Sequence, residues 1–306
     1  MNRFIIKLLI FSIFPIGTLY AVFLLENGTA DPFYQRFTTP KQHALILGNS
    51  KAALGILPSI LNDRLGEIYP AKLYNYSFTV YNSPYGPAYL ESIKNKLANF
   101  EGNRCFIITV DPWSISSDIK DPNNPDKFAE NERFISNVKN VNVSPNHEYL
   151  KEWFSKSYYE IVLLRFKNKS WKLHKDGWFE TIGAIRESTI NKNRDFMVTF
   201  YEDYLTKYSY SSKRYEYLQE TISYLKSRGA VYLVRMPLHQ DIFEIENKLD
   251  PEFNAKMINL AEQYNLIYFN FNELSKSWKF TDGLHLTVES AKDLSNLLSD
   301  NILLNN

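Results

Sequence analysis

Short apolar runs without a charged residue recur along the chain: ALIL at 44–47, CFIITV at 105–110, and AVYLV at the start of 230–237. A strand that is apolar on both faces must be covered on both faces, which places it in a parallel sheet between two helix layers. Two further strands read at 72–78 and 266–272. Helices with apolar residues at three- and four-residue spacing read at 88–97, 213–228, 251–264 and 287–304. Another follows the first strand, with its regular part opening at Pro58, where proline suits a first turn. The expectation is an α/β fold with a five-stranded parallel sheet and a ligand site at the strands' carboxyl ends. Residues 112–212 break this rhythm. They read as a mostly helical insertion forming an aromatic-lined lid over that edge, with a helical stretch at 147–166 and an irregular one at 171–183.

The N-terminus constrains location. Arg3 and Lys7 precede residues 8–25, a run with no charged residue and about long enough to cross a bilayer as a helix. Glu26 and Asp31 follow it. By the positive-inside rule the N-terminus is cytoplasmic and the remainder extracytoplasmic. The expected organisation is a membrane anchor at 1–26, a linker at 27–42 containing Gly28, Pro32 and Pro40, and one domain at 43–306. Neither Gly17-Thr18-Leu19 nor Thr29-Ala30 makes a good small-x-small cleavage site, so an uncleaved anchor is favoured over a signal peptide. A net charge of +1 gives no basic stripe for nucleic acid. The single cysteine, Cys105, and the five histidines show no zinc-type spacing, so no metal is expected.

The first strand ends abruptly in Gly48-Asn49-Ser50, and a helix begins at once. Small polar residues suit turns. A serine at a strand-to-helix turn is also where a nucleophile is held forward. Near the other end of the chain, FTDGLHL (280–286) carries Asp282 three residues before His285. In a turn of helical pitch such residues share a face. Asp282 then accepts from Nδ1 of His285 and leaves Nε2 to take a proton from Ser50, the division of roles in a serine triad. Both elements fall at the same edge of the sheet.

With those residues in view, the chain resembles the SGNH (GDSL-type) hydrolases over about 43–304, apart from the insertion. These have an early Gly-Asp-Ser block and a late Asp-x-x-His block. The resemblance implies a three-layer, flavodoxin-like fold, with Ser50 as nucleophile and Asp282 and His285 completing the triad. It implies no cofactor. Asn49 stands where the family has aspartate. Ser77 falls near the second-block glycine, whose N–H serves the oxyanion hole, and TVDPWS (109–114) lacks the third-block asparagine. Asn49, Asn75, Ser77, Arg235 and His239 are the candidate oxyanion or substrate residues, with Asn82 a further residue that could stand in for the missing donor. His239 faces the same edge, where its ordinary role is that of a loop histidine. Anchor, weakly matching blocks and insertion together are similar to the D-alanine transfer proteins of teichoic-acid assembly and to exopolysaccharide O-acetylation proteins. That likeness implies an esterase or O-acyltransferase acting on a cell-envelope polysaccharide beside a membrane-bound O-acyltransferase. The alternative is an SGNH-fold binding or scaffold protein with a weak or inactive site.

The topology is directly testable. A reporter active only in the cytoplasm, fused to the C-terminus, gives no signal in cells. A strong signal excludes an extracytoplasmic domain.

Overall fold

In the computed structural model, which describes residues 2–26, 28, 31–153, 158–166, 170–183, 186–273 and 277–305, the apolar runs form one parallel sheet. Its strands are β1 (Ala44–Leu47), β2 (Leu73–Asn75), β3 (Cys105–Thr109), β8 (Ala230–Arg235) and β9 (Ile267–Asn270), in the order β2-β1-β3-β8-β9. Ile46 lies between Asn75 and Ile107, and Val234 between Thr109 and Phe269. The strand order reverses at β1, so the carboxyl ends of β1 and β3 flank the crevice where doubly wound sheets place their ligands.

Each strand sends alternate residues to opposite layers. Leu45, Leu47, Phe106, Ile108 and Leu233 pack under α5 (Pro87–Lys96), α10 (Ser212–Lys226) and α12 (Phe253–Tyr264). Ala44, Ile46, Cys105, Ile107 and Val234 pack under α3 (Ser50–Gly55), α4 (Pro58–Leu65) and α13 (Val288–Leu304). The helix after β1 is therefore two helices. Ile56 and Leu57 are extended between them, and Pro58 opens the second.

The insertion divides between two places. Its first part holds α6 (Phe134–Asn137), α7 (His147–Trp153) and α8 (Tyr158–Phe166). Residues 154–157 of the helical stretch expected at 147–166 lie outside the described residues. Ile135, Val138, Tyr149 and Leu150 join the core beneath α5, away from the lid position expected for them. The second part holds a hairpin, β5 (Trp171–Leu173) with β6 (Phe179–Thr181), and then α9 (Glu187–Leu205). The hairpin occupies the segment expected to be irregular. Helix α9 does lie at the carboxyl edge. Its Tyr201 and Tyr204 pack with Trp113, Leu284 and residues of α11 (Gln240–Leu249), a helix the sequence reading did not resolve. The strand pair β4 (Ser116–Asp118) and β7 (Tyr208–Tyr210) closes the base of the insertion.

At the N-terminus, α1 (Asn2–Leu25) has a mean hydropathy of 2.3 over its most apolar window and no buried residue. It is long and apolar enough to cross a membrane. The segment expected to be a linker is not a free tether. Residues 27, 29 and 30 lie outside the described residues, but α2 (Tyr34–Thr38) buries Tyr34, Arg36 and Phe37. The aromatic residues outweigh Pro32 and Pro40 there. Phe37 meets the rings of Tyr76, Phe78, Phe134 and Tyr149. Arg36 donates through Nε to the carbonyl of Asn75 and through Nη2 to that of Gly177.

Phe37→Ala therefore lowers stability by about 3–5 kcal/mol, the usual cost of deleting a buried phenylalanine. Urea unfolding of the full chain in detergent reads this as a lower midpoint. An unchanged midpoint restores the tether reading.

Candidate functional site

Gly48 makes the turn after β1 possible. Its φ is +145°, and a Cβ there would stand 1.8 Å from Oγ1 of Thr109 on the neighbouring strand. The carbonyl of Gly48 accepts from Phe78 N–H and Ser83 Oγ, which ties the turn to the segment following β2. Asn49 then caps α3, its Oδ1 accepting from Lys51 N–H at 3.1 Å. Ser50 is the first residue of the helix, and its hydroxyl points to the loop before α13.

That loop carries the other two residues. Gly283, with φ +82°, lets the chain fold back between them. Oδ1 of Asp282 accepts the backbone N–H groups of Leu284 at 2.9 Å and His285 at 2.8 Å. Oδ2 of Asp282 is 2.7 Å from Nδ1 of His285, and Nε2 of His285 is 2.8 Å from Oγ of Ser50. With the proton on Nδ1, the imidazole donates to Asp282 and accepts from the serine hydroxyl. Asp282 and His285 are each 13% exposed, so the relay is sheltered and open at one side. Burial opposes ionisation of Asp282, but His285 and the two N–H groups outweigh it and hold the carboxyl below its ordinary 3.8.

The remaining candidates have structural work. Asn49 Nδ2 donates to Oδ2 of Asp111 at 2.6 Å. Asn75 is wholly buried and donates through Nδ2 to the carbonyls of Ala52 and Ile56, holding the α3–α4 junction against β2. The backbone N–H of Ser77 is directed to Oδ1 of Asn75 at 3.2 Å, and its hydroxyl donates to the carbonyl of Ile46. Arg235 is buried, pairs with Glu246 at 3.3 Å, and lies over the rings of Phe243 and Phe253. Asn82 Nδ2 donates to Oγ1 of Thr79 at 2.8 Å. His239 caps α11 and donates its backbone N–H to the carbonyl of Gly283, so it touches the triad loop through the main chain. The Asn75 amide and the Ser77 N–H are thus engaged in local hydrogen bonds. Among the described residues, no acceptor is recorded for the Ser50 N–H. It is one of the unpaired donors that a helix N-terminus leaves.

The sequence reading missed a charged cluster behind the nucleophile. Lys51 Nζ lies 3.0 Å from Oδ2 of Asp111 and 2.7 Å from Oε1 of Glu246, and Glu246 continues to Arg235. Burial alone would push the Lys51 ammonium down. The carboxylates of Asp111 and Glu246 outweigh it and hold its pKa above the ordinary amine value. The available signal was Lys51 beside Ser50, with Asp111 directly after β3. Tyr201 of α9 is fully enclosed, and its phenol is pushed well up by burial and by the carboxylates of Asp111, Glu246 and Asp282. Arg194, also on α9, lies against Gly283, with Nη1 3.3 Å from Nε2 of His239. The insertion therefore reaches the site through α9.

No family model matches this chain, and no curated protein matches it in sequence. Among solved structures it is similar to a carbohydrate acetylesterase from Sinorhizobium meliloti, at 13% identity and a TM-score of 0.40, over 87% of this chain and 100% of that one. It is also similar to an aryl esterase of M. smegmatis, at 12% identity and a TM-score of 0.40, over 85% of this chain and 98% of that one. Both likenesses are distant, and the chemistry of the site stands on its own geometry.

The Asp282 carboxyl gives a pH test. Its folded pKa lies below the unfolded one, so its stabilisation is complete above about pH 5 and lost as pH falls through the folded value. Asp282→Asn removes that contribution. The denaturant midpoint of the wild type exceeds that of the variant at neutral pH, and the two converge only as pH falls below the ordinary carboxyl value of 3.8, through the folded one. A gap that persists unchanged at low pH refutes the assignment.

Proposed function

We propose that this chain is a serine esterase or O-acyltransferase anchored to the cell membrane, working on an acylated polysaccharide outside the cytoplasm. The observation that carries the reading is the continuous relay from Ser50 Oγ through His285 to Asp282. Ser50 attacks the ester carbonyl while Nε2 of His285 takes its proton. The imidazolium is stabilised by Asp282, whose carboxylate stays ionised. The Ser50 N–H, at the positive end of α3, is the donor nearest the developing oxyanion. His285 then protonates the departing sugar oxygen, leaving an acyl-enzyme. Water or a second sugar hydroxyl, deprotonated by the same imidazole, releases the acyl group. An extracytoplasmic setting suits a polysaccharide. A membrane-bound O-acyltransferase is the partner that would supply the acyl group.

One observation favours a second reading. Asp111 stands in the segment where the related fold carries a side-chain oxyanion donor, and its carboxylate is committed to Asn49 and Lys51. Loss of one such donor costs on the order of 10²–10³ in turnover. A scaffold that binds polysaccharide with little catalysis would show the same feature.

A fluorophosphonate probe separates the two. The full chain in detergent labels slowly, with the adduct on Ser50. Ser50→Ala and His285→Ala abolish labelling, and Asp282→Asn slows it by on the order of 10⁴. His239→Ala changes it little, because His239 reaches the triad loop through its backbone. No labelling of the wild type, with full cellular function of Ser50→Ala, establishes the scaffold.

A further inference from the structure

We propose that α8 is a second membrane-contacting element, an apolar face that lies on the lipid surface beside α1. The proposal rests on α1 spanning the bilayer and not on the chemistry of Ser50.

Helix α8 packs along α1. Its Ile161 is buried at 1% exposure, whereas Tyr159 is 67%, Leu163 36% and Phe166 81% exposed. Residues 159, 163 and 166 are four and three apart, so they share one helical face. Large apolar side chains on one face next to an apolar helix that has no buried residue form a continuous surface that water solvates poorly. At the outer end of α1, His147 of the preceding helix α7 also meets the rings of Tyr20 and Phe23, with centroids 6.0 and 6.1 Å away. A span that leaves the bilayer at Tyr20 and Phe23 therefore holds the helices following it at interfacial depth, where tyrosine and other aromatics concentrate.

Charge identifies the occupant. The sequence from 159 to 176 carries five basic residues, Arg165, Lys167, Lys169, Lys172 and Lys175, against two acidic ones, Glu160 and Asp176, and Lys172 and Lys175 are exposed. An apolar face followed by a basic segment is the composition of an element that lies in an anionic lipid interface. A partner protein's apolar groove would satisfy the face but gives no reason for a run of cations beside it. The orientation has a consequence for the site. Helix α2, which follows the span, packs Phe37 on Phe78, and the backbone of Phe78 bonds to Gly48. The carboxyl edge of the sheet is thereby held close to the membrane surface.

The test reads lipid contact in the full chain. Cys105 is fully buried, so thiol labelling is directed to an introduced cysteine. Phe166→Cys, Tyr159→Cys, Tyr20→Cys and Ile119→Cys variants are labelled with an environment-sensitive dye. They are then reconstituted into phosphatidylglycerol–phosphatidylcholine vesicles carrying shallow nitroxide-labelled lipids. The expected result is loss of fluorescence at Phe166→Cys and Tyr159→Cys, comparable to the loss at Tyr20→Cys, with Ile119→Cys remaining bright. Omitting phosphatidylglycerol weakens quenching at the α8 positions and leaves Tyr20→Cys unchanged. Three results overturn the proposal: α8 labels as bright as Ile119→Cys; protection of α8 only in native membranes, which indicates a protein partner; or an unquenched Tyr20→Cys, which removes α1 from the bilayer. Fluorophosphonate labelling of the same samples reports Ser50 separately, so failure of either reading is recognised by itself.

Discussion

The carboxylate of Asp111 is the interaction on which the site's framework depends. It stands just past β3, caps the turn that follows through Ser114, and accepts from Asn49 Nδ2 and Lys51 Nζ on either side of Ser50. Lys51 carries the connection to Glu246 on α11, and Glu246 carries it to Arg235 at the end of β8. Three adjacent strand ends are thus joined through one buried set of two cations and two anions. Taking such groups out of water is expensive, and removing one partner typically costs about 3–5 kcal/mol because the others remain buried. The set is therefore held together as a whole or not at all. It fixes the first turn of α3 from behind while leaving the face of Ser50 that looks toward His285 free.

The same commitment limits what the segment after β3 can do. A side chain whose two oxygens are occupied by a capping N–H, an amide and an ammonium has no role left at an acyl oxygen. The fold uses that position to hold the nucleophile's helix rather than to bind the reacting carbonyl. Gly48 works in the same direction. The lack of a Cβ lets β1 approach Thr109 closely, and the turn that results is held from the second side by Phe78 and Ser83.

Strands and the triad were legible because their signals are local and strong. ALIL and CFIITV admit no solvated face, and Asp282 and His285 need only a three-residue turn to meet. What the sequence concealed depends on long-range partners. Helix α9 carries Asn191, Asn193, Arg194 and Asp195 together, and its apolar residues Met197, Val198, Tyr201 and Tyr204 find their purpose only against Trp113 and Leu284. Lys51 reads as an exposed helix residue until Asp111 and Glu246 are brought beside it. Phe33 and Phe37 sit among prolines and glycine, and their packing follows from Phe78 and Phe134, residues roughly 40 and 100 positions away along the chain. Asn75 was legible as a polar residue at a strand end, but its bonds to the carbonyls of Ala52 and Ile56 join segments about twenty positions apart.

A complete proton relay with a sparse oxyanion side has a kinetic meaning. The relay lowers the barrier for forming the nucleophile, while each absent donor leaves charge on the tetrahedral oxygen less stabilised, by on the order of 3–4 kcal/mol. Turnover of a dilute soluble ester is then slow. An enzyme held at a surface meets its substrate differently. Confinement turns encounter into a nearly intramolecular event, and effective concentrations of tethered partners reach the millimolar range. Arg36 and Phe37 of α2 pack against the segment that follows β2 and holds Gly48, so α2 and the turn before Ser50 are packed together. On the proposed reading, that coupling supplies through position what the site lacks in oxyanion donors.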